Sequence, residues 1–193
     1  MKTLKKFLFI AACISLLTTC SKPDEFIGDN LSGNDLKCAK LDPKTVKVPF
    51  KAKFSVWDKS DYTDNSCGGY PVFFLTMEGH GTTTHLGHIT TKMTFCCNVI
   101  TGEYYNTIGS FVAANGDQLF FEIPVGKIIP NDEDNSAYYQ TKFNDPMIFT
   151  GGTGRFKGAT GSGSTNAYVH DGTDEWRTDF FSTATLTLVK GKQ

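Results

Sequence analysis

The chain has no basic excess: nineteen Lys and Arg stand against twenty Asp and Glu. Contacts to nucleic-acid phosphates need clustered Lys and Arg, so a nucleic-acid partner is not expected. No segment shows convincing helical periodicity, which argues against a bundle. No apolar run has the roughly 20 residues that a membrane-spanning helix needs. The cysteines include no Cys-x-x-Cys pair, so a zinc site built on them is not expected. No window supplies GxxxxGK[ST]. Gly152, Gly154 and Gly158 miss the dinucleotide-binding spacing by one, and small, β-like residues follow them. A nucleotide cofactor is therefore not expected, and no other cofactor is indicated.

The N-terminus reads as a targeting segment. Lys2, Lys5 and Lys6 form a positive region, and Phe7 to Leu17 form an apolar run of secretory length. Leu17-Thr-Thr-Cys20 resembles the lipobox of bacterial lipoproteins. That resemblance implies cleavage after residue 19 and lipidation of Cys20, where buried acyl CH₂ groups each contribute about 0.8 kcal/mol of membrane affinity. Ser21-Lys-Pro-Asp-Glu25 resembles the Lys-and-acid signal of surface-exposed lipoproteins in Bacteroidetes-type bacteria. It implies a lipid anchor in the outer membrane with the protein facing outward; the alternative faces the periplasm. Loss of Lys2, Lys5 and Lys6 leaves sixteen basic against twenty acidic residues, a net charge of about −4. Residues 20–44 are polar and aperiodic, as expected of a tether.

What is present points to strands. Aromatics make up 13% of the chain, with sixteen Phe, and the nineteen glycines fit many tight turns. From Thr45, Val46, Val48, Phe50, Ala52, Phe54 and Val56 alternate with Lys47, Pro49, Lys51, Lys53 and Ser55, the period-two signature of a half-buried strand. Pro71 to Met77 reads as a short strand, and residues 79–88 as a turn or strand break. Ile89 to Val99 alternates again and sets Cys97 on the apolar face and Cys96 on the other. Asn115-Gly116 marks a hairpin between two further strands. In the second of them Leu119, Phe121, Ile123 and Val125 share a face. Tyr138 to Phe149 reads as a strand bent near Pro146. The last strand sets Trp176, Thr178, Phe180 and Leu186 on one face, with Arg177 and Asp179 on the other, outer face. About eight strands joined by hairpin-sized gaps predict neighbours that pair in order. They can close into an eight-stranded antiparallel up-and-down barrel over residues 45–193, which removes the exposed edges; a β-sandwich is the competing arrangement.

Three segments together carry a family resemblance. They are Gly81-Thr-Thr-Thr-His-Leu-Gly87, Ala113-Ala-Asn-Gly-Asp117, and Phe149-Thr-Gly-Gly-Thr-Gly-Arg-Phe-Lys-Gly-Ala-Thr-Gly161. They resemble bacterial relatives of the allene oxide cyclase and dirigent barrels. The resemblance implies a calycin-type barrel with an apolar cavity and carries no catalytic residue onto this chain. In the glycine-rich third segment, Gly151, Gly152 and Gly154 would permit positive φ, and Phe156 would anchor the core.

Candidate site residues are few. Cys20 is the lipidation site. Cys38, Cys67, Cys96 and Cys97 remain for disulfides after export, with the pairing open. His80, His85 and His88 are weak metal candidates, because the odd separation of His85 and His88 points them to opposite faces of a strand. The acid-rich stretch 131–136 lacks the glycine and distant Glu of an EF-hand loop and reads as a solvated loop. Three functions compete: a barrel that binds a small apolar ligand or a partner without turnover, a structural or interaction module with a filled core, and an isomerase or cyclase. An acid, Tyr or His converging on an open cavity favours the enzyme. An apolar open cavity favours binding, and a barrel plugged by Phe favours the module.

Overall fold

The computed structural model describes residues 44–172 and 175–190. The expected leader, Cys20, and the tether through residue 43, with Cys38, lie outside the described residues. The strands are β1 (Thr45–Asp58), β2 (Val72–Thr83), β3 (Gly87–Asn98), β4 (Glu103–Ala113), β5 (Gln118–Lys127), a two-residue β6 (Ile129–Pro130), β7 (Thr141–Gly152), β8 (Thr160–Asp171) and β9 (Trp176–Val189). Each long strand pairs antiparallel with the next. β1 pairs with β9 along Thr45–Trp57, and β5 pairs with β7. The result is a closed, eight-stranded, up-and-down barrel.

Alternation along each strand decides what enters the barrel. In β1, Phe50, Ala52, Phe54 and Val56 are buried, while Lys51 and Lys53 face out. The two ends of the barrel differ. One end carries the connections 84–86, 114–117 and 153–159, together with the start of β1 and the finish of β9. There Phe50, Phe111, Phe121 and Phe149 pack ring against ring, and Phe156, from a single 3-10 turn, is fully buried. The opposite end carries the connections 59–71, 99–102, 128–140 and 172–175.

The small inner face of β8 lets strands approach closely. A Cβ added to Gly163 would lie 2.0 Å from the Thr183 carbonyl oxygen of β9. In the preceding turn Gly151 and Gly154 do have positive φ, but Gly152 does not. Its role is proximity, since a Cβ there would sit 2.2 Å from the Gln118 carbonyl oxygen.

Three expectations need correction. β2 does not break at residue 79; it runs through Gly79-His80-Gly81 to Thr83, paired with β3 throughout, and His85 takes the turn at φ 70°. β7 begins only at Thr141, and Tyr138 and Tyr139 belong to the preceding loop. Val125 shares parity with Leu119, Phe121 and Ile123 yet is 64% exposed. The reason lies in the β5–β7 ladder, which stops at Glu122–Ile148 and resumes only where Ile129 of β6 meets Lys142. Continued in register, that ladder would bring Pro124 towards Pro146, and neither has an N–H to donate.

Candidate functional site

The open half of the barrel holds a cavity of about 200 Å³. Val56, Leu75, Met77, Met93, Cys97 and Ile123 form much of its wall, with Phe143 and Phe180 also lining it. Val99, Gly102, Ile128 and Trp176 also line it, from the connections at its mouth and the first residue of β9. Trp176 keeps the inward parity expected of it but stands at this rim, 42% exposed. Among the described residues no Lys, Arg or His lines the cavity.

Tyr104 and Thr107 reach this space through an irregularity in β4. The β3–β4 register shifts between Thr94 and Cys96, and Asn106 sits in the left-handed region at φ 57°. The extra residue turns both Tyr104 and Thr107 inward, where strict alternation would separate them. The Tyr104 hydroxyl donates a hydrogen bond to an Asp145 carboxylate oxygen on β7. To do so it passes Gly126, where an added Cβ would lie 2.2 Å from the tyrosine ring and 2.6 Å from Asp145 Oδ2. The pair therefore spans the interrupted β5–β7 seam and takes the place of ladder bonds missing there.

Burial sets the electrostatics of this pair. Asp145 is 9% exposed. Desolvation raises its carboxyl above the ordinary value, and the Tyr104 bond only partly opposes this. Burial, then the neighbouring carboxylate, pushes the Tyr104 phenol far above its usual range. Burial likewise raises Cys97, which stays a thiol in the cavity wall. Asp58 at the rim behaves in the opposite way. Its partial burial would raise it, but hydrogen bonds from Ser60 and Tyr62 hold it below the ordinary carboxylate value.

Cys67 and Cys96 form a disulfide with a Cα–Cα distance of 5.7 Å, tying the 59–71 connection to β3 at the open end. Cys97 leaves the candidate disulfide set, because it points into the barrel and is free and buried. The three histidines do not converge. His80 stacks on Trp57, His85 contacts the Pro49 carbonyl oxygen at 2.9 Å, and His88 opens β3. No group of three His, Cys, Asp or Glu placed to hold a metal ion occurs among the described residues.

Arg177 and Asp179 lie on the outer face, as their parity predicts, but they are not freely solvated. The 131–140 stretch folds across them. Tyr139 donates to Asp179 at 2.6 Å, and Arg177 donates to the Tyr138 hydroxyl at 2.7 Å and to Asp179 at 3.1 Å. Burial alone would raise Asp179; bonds from Ser55 and Tyr139 and the Arg177 charge hold it low instead. The acid-rich stretch is likewise engaged, with Lys142 bridging Asp132 and Glu133, each at 3.0 Å. This cluster clasps a loop to the barrel wall, with Asp132, Glu133 and Asp179 paired to protein donors.

No family model matches the chain, and no curated protein matches it. Among solved structures it is similar to a pterocarpan synthase dirigent protein, at 12% sequence identity and a TM-score of 0.47, covering 79% of this chain and 90% of that one. So distant a likeness carries nothing about activity. The barrel rests on its own closed ladders.

Proposed function

We propose that the protein is a lipid-anchored bacterial surface protein whose barrel binds a small apolar molecule in its open half without turning it over. The cavity of about 200 Å³ with its apolar wall supports this reading. An engineered apolar cavity of about 150 Å³ takes up benzene, so this one has room for a molecule of on the order of ten non-hydrogen atoms. The acids and phenol nearest the cavity favour no reaction: Asp58 in its rim accepts from Ser60 and Tyr62, and Tyr104 and Asp145 are each other's partner across the seam. The anchor follows from Cys20 and its lipobox. β1 starts at the end of the barrel opposite the mouth.

Protein purified from its own source should retain a small molecule by native mass spectrometry. Ile128→Trp, at the mouth, should abolish that retention. Retention unchanged by this substitution would place the ligand elsewhere. Labelling with a palmitate analogue should vanish in Cys20→Ala; persistent labelling would remove the anchor.

A further inference from the structure

Buried hydroxyls in this barrel mostly have partners. Ser182 donates to Thr165 at 2.8 Å, and Thr91 donates to the Ser110 carbonyl oxygen at 2.9 Å. Among the described residues two threonine hydroxyls do not, Thr83 and Thr107. Thr83 closes β2 at the packed end, away from the cavity. Thr107 is 2% exposed and lines the cavity. An unmet buried hydroxyl carries an uncompensated desolvation cost, whereas valine would fill the same shape without it. Thr107 faces the interior in line with Phe111 and Ala113 and opposite the inward Ile123 of β5.

Resting on the reading of the cavity as a binding site, we propose that its ligand is an uncharged molecule with a hydrocarbon body and one hydrogen-bonding oxygen, and that Thr107 Oγ1 recognises that oxygen. The body is selected by the aliphatic and methionine wall. Charge is selected against. Among the described residues no cationic side chain lines the site to receive a carboxylate, and the acids nearest it are bonded within the protein, Asp58 to Ser60 and Tyr62, Asp145 to Tyr104. The Tyr104 hydroxyl is likewise committed to Asp145, and of the two threonines in the wall, Thr107 and Thr178, Thr107 is the one whose hydroxyl is fully covered without a partner. Thr107 Oγ1 is covered by its neighbours, and the ligand reaches it by rotation of χ1 between staggered wells.

Acetophenone and α-methylstyrene differ by C=O in place of C=CH₂ and suit the cavity in size, so they serve as a matched pair in calorimetric titrations of the full chain. The wild type should bind acetophenone about tenfold more tightly than the hydrocarbon, the worth of one buried neutral hydrogen bond. Thr107→Val should erase that preference and leave the affinity for α-methylstyrene unchanged, while Thr107→Ser should keep the preference. Equal binding of both probes by the wild type, or a preference that survives Thr107→Val, overturns the role of Thr107 and leaves the cavity reading standing. Binding of neither probe overturns both.

Discussion

The two halves of the barrel are built from the same strands by different means. The end that carries the termini is filled: Phe50, Phe111, Phe121, Phe149 and Phe156 leave little room among them. The opposite half substitutes Met77, Met93, Leu75 and Cys97, and keeps a cavity. Protein interiors pack as densely as organic crystals, so an unfilled half forfeits dispersion contacts that the filled half makes. The open half holds its shape by other bonds: the Cys67–Cys96 disulfide, the Tyr104–Asp145 bridge and the clasp of the 131–140 stretch on Arg177 and Asp179. Dense Phe packing stabilises one end, and cross-links supplement the ring contacts of Phe95, Tyr104, Phe143 and Phe180 around the cavity at the other.

The sharpest way to break this contrast is a matched pair of truncations. Phe111→Ala should cost about 3–5 kcal/mol in urea denaturation, because Phe50, Phe54 and Phe121 surround the ring and cannot collapse into the void. Met93→Ala should cost less, about 2 kcal/mol, since the cavity already borders that side chain and a smaller new void is made. Equal costs would mean that the two halves are packed alike.

Next in size is the staple. Replacing Cys67 and Cys96 together by Ser releases a loop closed over a sequence separation of 29. The chain-entropy account puts the loss at about 3–4 kcal/mol at most, and engineered losses often fall below it. Hydrogen exchange should speed up in the 59–71 connection and leave the Phe-packed end unchanged. Acceleration spread evenly over both ends would show that the disulfide stabilises the fold as a whole and not the mouth.

The smallest effect concerns pH. The Asp145 carboxyl is raised in the folded protein, so folding favours its protonated form. Its penalty is absent below the unfolded value near 3.8 and grows as pH rises through the folded value. Asp145→Asn removes the titrating group and keeps an acceptor for Tyr104. The variant should therefore gain stability relative to the wild type as pH rises from 4 to 7. A gain that is flat across this window would mean that the carboxyl is not perturbed by burial. Asp179, which is lowered, runs the other way: its contribution is present at neutral pH and lost as acid is added.

Much of the barrel was legible in residue order. Period-two alternation in β1, β3 and β9 identifies the inner face directly, because a pleated strand must send alternate side chains to opposite sides. Cys97 on the apolar face followed from the same parity. The misread β2 break shows where such reading fails: histidine and glycine at 79–81 look like a turn, yet β2 stays paired with β3 through them. The site was less legible still. Tyr104 and Asp145 stand 41 residues apart and meet only because β4 and β7 flank the same interrupted seam. Thr107 keeps the inward parity of Phe111 and Ala113, but Tyr104 joins it inside only because of an irregularity at Asn106, and no composition signal marks that residue.

The amino-acid sequence by itself determined most of the strands, the inner faces of β1, β3 and β9 and the nearest-neighbour order, since these follow from local chemistry and short-range spacing. Tertiary structure alone decided which half is filled, which cysteines pair, where β5 parts from β7, and which polar side chains meet the cavity. Those outcomes depend on how side chains from distant strands share one enclosed volume, and closure of the barrel is what brings them together.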